Sequence, residues 1–248
     1  MKAHRALVIV CLAAACDTST GGNNGIDAGE PDAKKFEDAP PVVEGQFTLS
    51  GRTYERGLGG ETAVSGVTLE VYASSDESKV IKSAMSNQAG EFSMTIMTTG
   101  PLDGYILAKK TGYVDVYMYP TEPFEENFTD AAINMITPSN KDFLNSLAGG
   151  MQMPGMGLVG LQVRDAAGNP VMGATVSSNP ASGAYKYTGS NGLPASGATS
   201  TSMDGVAFMF NVPTNAPVMV TASKSGLTFK AHPIKARGDK MTVTSVTE

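Results

Sequence analysis

From Val43 onward, apolar residues recur at every second position, in short runs broken by clusters of Gly, Asn, Asp and Ser. Phe47 and Leu49 open the pattern. Val67, Leu69 and Val71 follow, then Phe92, Met94 and Ile96, then Val114, Val116 and Met118, with Thr48, Thr68 and Glu70 on the alternate positions. After Gly157 it starts again with Val159, Leu161 and Val163. Ala174 and Val176, then Val206, Phe208 and Phe210, then Val218 and Val220, and finally Leu227 and Phe229 continue it. A period of two is the period of a β-strand with one face turned to a core, and the intervening clusters are hairpin punctuation. With 28 Gly and 14 Pro in 248 residues, turns are abundant and long helices are disfavoured. The fold class expected is all-β.

The two stretches also match in motif order. Ser65-Gly66-Val67-Thr68-Leu69 corresponds to Met172-Gly173-Ala174-Thr175-Val176, and Asn87-Gln88-Ala89-Gly90 to Ser202-Met203-Asp204-Gly205. Lys110-Thr111-Gly112-Tyr113 corresponds to Lys224-Ser225-Gly226-Leu227. The glycine offsets are 107, 115 and 114, so one early loop differs in length and the rest keeps register. A repeat near the length of a small domain is a tandem duplication, not a solenoid. The modules are expected at 43–137 and 157–248, joined by a linker, 138–156, that holds one short helix. In that helix Ser139 is the expected cap, Asp142 sits three residues on, and Gly149 ends it. Phe143, Leu144 and Leu147 form an apolar stripe expected to pack between the modules and set their angle.

The N-terminus has a different logic. Lys2, His4 and Arg5 precede the uncharged apolar run Ala6 to Ala15, followed by Cys16 and Asp17. That layout is a secretory leader at 1–15, and the run is half the roughly 20 residues a membrane span needs. Leu12-Ala13-Ala14-Ala15-Cys16 resembles the bacterial lipoprotein signal, with Ala13 standing where Leu is commoner. The resemblance implies that Cys16 is the lipidation site, carrying diacylglycerol and an N-acyl chain such as palmitate. Residues 16–42 comprise that Cys and a polar, Pro-containing spacer too poor in apolar residues to form a core. The spacer is similar to those behind the lipidated Cys of diderm surface lipoproteins. Its 26 residues after Cys16 would reach about 30 Å as a flexible coil. The implied location is the cell envelope, lipid-anchored, with the outer membrane favoured over the inner and the choice between them left open. Because Cys11 leaves with the leader, the mature chain keeps no pair of cysteines for a disulfide.

Val163-Arg164-Asp165-Ala166-Ala167-Gly168-Asn169-Pro170-Val171-Met172-Gly173-Ala174 resembles the opening of a carboxypeptidase regulatory-like domain. Asp204-Gly205, Asn211-Val212-Pro213 and Lys224-Ser225-Gly226 continue its pattern. The resemblance implies two tandem seven-stranded prealbumin-like or immunoglobulin-like β-sandwiches. The first lacks the Asp-x-x-Gly-x-Pro opening and has Gly51-Arg52-Thr53-Tyr54 in its place.

Reactive groups are scarce. One His, His232, remains after the leader, so neither a Cys–His pair nor a multi-His metal site can be assembled, and no Gly-x-Ser-x-Gly elbow accompanies a triad. His232 reads as a solvated loop residue. Glu122, Glu125, Glu126 and Asp130 lack the alternate-residue spacing of a calcium loop and read as a solvated acidic segment. Met151, Met153 and Met156 could offer thioethers to Cu(I), but in a connector they read as gap-fillers. The sequence therefore predicts no catalytic residue, no metal site and no cofactor.

With 18 basic and 24 acidic residues, the net charge of −6 argues against a nucleic-acid partner. The charge is uneven: 43–137 holds 13 acids and 6 bases, while 157–248 holds 4 acids and 7 bases. That asymmetry could bind the modules together or leave an acidic surface for a cationic partner. The functional expectation is a non-catalytic adhesion, scaffolding or ligand-presenting module with a protein or polysaccharide partner and a lipid anchor in the membrane. The alternative is a carbohydrate- or small-ligand-binding lipoprotein, for which the absence of Trp leaves a thin stacking platform.

Overall fold

Two β-sandwiches share a sheet. The computed structural model describes residues 45–248 except 58–59 and 190–191; the leader, Cys16 and the spacer lie outside the described residues. In the first half, β1 (Gly45–Gly57) pairs antiparallel with β5 (Glu91–Thr98) and, past Tyr54, with β2 (Gly60–Ala63). Its other edge takes β8 (Phe128–Asn134) in parallel. The facing layer is β4 (Asp76–Met85), β3 (Thr68–Ala73), β6 (Gly104–Lys109) and β7 (Val116–Met118), antiparallel in that order.

The second half repeats the plan. β9 (Gly157–Arg164) is antiparallel to β12 (Val206–Val212) and parallel to β15 (Met241–Thr247). Opposite them lie β10 (Thr175–Asn179), β13 (Val218–Ser223) and β14 (His232–Ile234). The halves differ in one strand: β4 pairs with β3, whereas β11 (Ala184–Tyr187) has crossed to pair with β12.

The duplicated turns are alike atom by atom. Gly66 and Gly173 both have positive φ and donate to the carbonyls of Ser86 and Thr201. The Ser86 hydroxyl accepts from Val67 N and donates to Val64 O; the Thr201 hydroxyl accepts from Ala174 N and donates to Val171 O. Gly90 and Gly205 pass so close to β1 and β9 that an added Cβ would stand 2.3 Å from Thr53 O and 2.6 Å from Val163 O. Only glycine serves there.

β7 and β15 run side by side in parallel, Met241 opposite Val116 and Val243 opposite Met118, which makes one eight-stranded sheet across both halves. The cores lie on opposite faces of that sheet. Along β6, Ile106 and Ala108 point to the first core, Tyr105 and Leu107 to the second; along β12, Phe208 and Phe210 belong to the first, Ala207 and Met209 to the second. These strands are continuous apolar runs because both faces are covered. The one-face alternation expected from the sequence thus holds for β5 but not for β6, β9 or β12.

Two local expectations need correction. The helix α1 (Pro138–Leu147) is capped by Thr137, whose hydroxyl accepts from Asn140 N, with Pro138 in the first turn and Ser139 inside it. Proline pre-sets the first helical φ, which moves the cap back by two residues. No residue of α1 is buried, and Phe143 is 44% exposed, so the helix lies on the surface rather than filling a cleft. It is held by Leu144, partly buried against the first core, and by polar bonds, Asn140 Nδ2 to Glu55 and Lys141 Nζ to Asp239 O. The strand expected at Leu227 and Phe229 does not form: Leu227 makes a single bridge to Lys224 across a turn, Phe229 lies in no strand, and the strand comes later, at β14.

Candidate functional site: the joint around Arg237

The most elaborate cluster of polar and aromatic side chains among the described residues lies where the halves meet. The segment between β14 and β15 carries Lys235, Arg237 and Lys240 across to the first half. Glu77 of β4 receives two of them, Lys235 Nζ on Oε2 at 2.8 Å and Arg237 Nη2 on Oε1 at 2.9 Å. Lys240 Nζ lies 2.7 Å from Asp115 and Lys230 Nζ 2.9 Å from Glu122. In all four pairs the acid comes from the first half and the base from the second. The uneven charge is used at the contact between the halves.

Beneath the ions is a layer of tyrosines. Tyr72 stacks on Tyr105 with centroids 5.4 Å apart, and Tyr105 meets Tyr117 at 5.7 Å and Tyr119 at 5.1 Å. The Arg237 guanidinium sits over the ring of Tyr117 at 4.0 Å and of Tyr105 at 4.7 Å, and its Nη1 donates to Tyr119 Oη and Lys235 O. A guanidinium suits this position because it can stack and donate at once. Burial opposes the charge on Arg237, but the bond to Tyr119 and the nearby Glu77 outweigh it and hold the pKa above its ordinary value. Desolvation raises Tyr105, Tyr117 and Tyr119, and together with the bond to Glu70 it pushes Tyr72 up to about 12. The phenols are therefore protonated at neutral pH. What the cluster can do is hold two sheets in register; it contains no activated nucleophile.

An open groove of about 670 Å³ runs alongside, lined by Thr68, Lys109, Lys110, Tyr113 and Asp115 among others. Its charges are engaged: Lys109 with Glu70, Lys110 with Ser65 O and the face of Tyr113, Asp115 with Lys240.

The residues singled out from the sequence are not brought together. His232 begins β14 with Nε2 buried and without a partner among the described residues, and desolvation lowers its pKa. It is partly buried, not the solvated loop residue expected. Glu122 faces Lys230, and Glu125 borders a separate shallow groove with Gln46 and Thr98. No group of three or more His, Cys, Asp or Glu that could hold a metal occurs among the described residues. Met151 and Met153 are exposed, and their main chains are clasped by Asn211, whose Nδ2 donates to Met151 O and whose Oδ1 accepts from Met153 N. Sequence reasoning missed Glu77, Arg237 and the four tyrosines. The available signal was the charge asymmetry together with five of the chain's 8 Tyr falling between 72 and 119.

No family model matches the chain, and no curated protein matches it. Among solved structures it is similar to the Bacillus anthracis TIE protein at 11% identity and a TM-score of 0.28, over 81% of this chain and 33% of that one. It is also similar to GBS52, the minor pilin of Streptococcus agalactiae, at 12% identity and a TM-score of 0.26, over 82% and 96%. The shaft pilin SpaA of Lactobacillus rhamnosus GG aligns at 9% identity and a TM-score of 0.25, over 83% and 98%. The chain spans about a third of the length of the TIE protein. No helix among the described residues is long and apolar enough to cross a membrane.

Proposed function

We propose that this chain is a lipid-anchored envelope protein whose folded part is a non-catalytic adhesion, scaffolding or ligand-presenting module. The observation that carries the reading is the order of parts. A leader running up to Leu12-Ala13-Ala14-Ala15, then Cys16 and a polar spacer, precede a double sandwich whose Glu77–Arg237 cluster joins its own halves. Two or more acyl chains give stable anchoring, since each buried CH₂ contributes about 0.8 kcal/mol. The expected site is the outer membrane of a diderm bacterium, with Cys16 as the attachment point and a protein or polysaccharide as partner. Cys16→Ser tests this: the variant should move from the membrane to the soluble fraction and lose the mass of the lipid. Unchanged fractionation would remove the anchor from the account.

The open groove beside the joint favours a second reading, binding of a carbohydrate or other small polar ligand. Lys109 and Lys110, whose ammonium groups keep donors beyond those given to Glu70 and Ser65 O, would supply its contacts. A glycan array probed with the purified protein separates the readings, because a uniformly blank array leaves the protein partner or scaffold.

A further inference from the structure

The chain enters each half on one strand and leaves it on another that is parallel to the first and hydrogen-bonded to it. In the first half these are β1, beginning at Gly45, and β8, ending at Asn134, paired from Leu49↔Phe128 to Tyr54↔Asn134. In the second they are β9, beginning at Gly157, and β15, ending at Thr247, paired without a register break from Leu158↔Met241 to Arg164↔Thr247. The entry and exit points of each half therefore lie at opposite ends of a parallel pair. Tension that draws them apart slides one strand along the other and strains the whole ladder together. In a hairpin the ends lie side by side, and the same tension opens one bond after another.

The exit strand of the second half is also held on its far side. β15 is parallel to β7 over Met241–Val243, and beyond that pairing Tyr119 N donates to Val243 O and Thr244 Oγ1 to Tyr119 O. Lys240 and Arg237, just before β15, carry the ion pairs and the tyrosine stack of the joint. To leave, β15 must shear from two neighbours at once while the joint beside it is clamped to the other half.

We infer that the folded body is a strut that resists tension between its N-terminal and C-terminal ends, transmitting force from a partner on the second half to the tether. The inference deepens the anchored-scaffold reading and rests on it for the origin of the load. The resistance itself is a property of the strand order.

Single-molecule force spectroscopy on the full chain, with Cys11→Ser and Cys16→Ser to leave engineered thiols alone, tests it. One protein carries handles at Gly45→Cys and Glu248→Cys, which loads the parallel pairs in shear. Gly45 tolerates a side chain, its nearest neighbour to an added Cβ being Thr98 O at 3.8 Å. The other carries handles at Arg164→Cys and Glu248→Cys. Glu248 N bonds Arg164 O, so these handles peel β15 from one end. If Arg164→Cys does not fold, Gln162→Cys with Glu248→Cys supplies the peeling geometry. The shear pair should first yield at a force at least twice that of the peeling pair. Equal forces, or a weaker shear pair, overturn the strut. If Cys16→Ser fails to release the protein while the force contrast stands, the anchor is wrong and the strut survives. The reverse result removes the strut alone.

Discussion

Ser86 and Thr201 show how much of a turn can depend on one buried hydroxyl. Each closes the loop that follows its half's first long strand, by accepting from one main-chain N–H and donating to one main-chain carbonyl at 5% and 2% exposure. Thr201→Val keeps the shape and removes both bonds, leaving a buried amide and a buried carbonyl short of a partner, at a cost of about 1–3 kcal/mol. For a chain of this size that is a fall in Tm of roughly 3–10 °C, and Thr201→Ser should restore most of it. A Tm unchanged to within a degree in a thermal melt would show that the brace carries no net stability. His232 is the other residue with a measurable signature. Burial lowers its pKa from the ordinary 6.5, although Asp103 and Glu122 pull the other way. With the folded pKa depressed, its contribution is intact above 6.5. It is lost as pH falls through the folded value, because the unfolded chain binds a proton that the native chain resists. Urea titrations at pH 7.5 and 5 should show a stability loss that His232→Gln reduces; identical losses in both proteins would assign the effect to other groups.

At the scale of elements, the informative difference is between β4 and β11. In the first half the outer edge of β3 is covered by β4. In the second half the corresponding outer edge of β10, away from β13, has no strand beside it among the described residues, because β11 has moved to β12. Two tyrosines of β11 reach back: Tyr187 Oη accepts from Val176 N, and Tyr185 Oη accepts from Ser178 N and Ser182 N. Burial alone would raise the pKa of Tyr185, but these bonds and Ser178 Oγ lower it. An open edge is a template for unwanted pairing, and the phenols occupy its donors. Tyr185→Phe with Tyr187→Phe should therefore speed amide exchange at Val176 and Ser178 and shift the protein toward larger species in light scattering. A double variant with unchanged scattering and unchanged exchange would show that the edge needs no such cover. This device was not legible in the sequence. Tyr185-Lys186-Tyr187 alternates as any strand does, and only the pairing of β11 tells which edge its hydroxyls meet. The turns were legible, because Gly90, Gly112, Gly205 and Gly226 all take positive φ, where glycine is at ease.

Across the whole molecule, the joint decides whether the halves behave as one body. Arg237 keeps only 16% of its side chain exposed and lies between Glu77 and two tyrosine faces. Glu77→Gln would leave that guanidinium without its counter-charge; with Glu77 itself 30% exposed, the loss is about 1–3 kcal/mol. Urea unfolding monitored by tyrosine fluorescence should report that loss, and a change below about 0.5 kcal/mol would mark the pair as energetically idle. From the residues alone came the all-β class, the duplication and its turn glycines, since strand period and positive φ are local properties written in consecutive positions. The uneven charge was visible too, with its use left open between binding the halves and meeting a cationic partner. The fusion of two sandwiches through β7 and β15, the opposite-facing cores and the place of Arg237 were set by tertiary structure. They depend on which strands lie side by side across 125 residues of chain, as Lys240 meets Asp115, and no local pattern encodes a neighbour that distant.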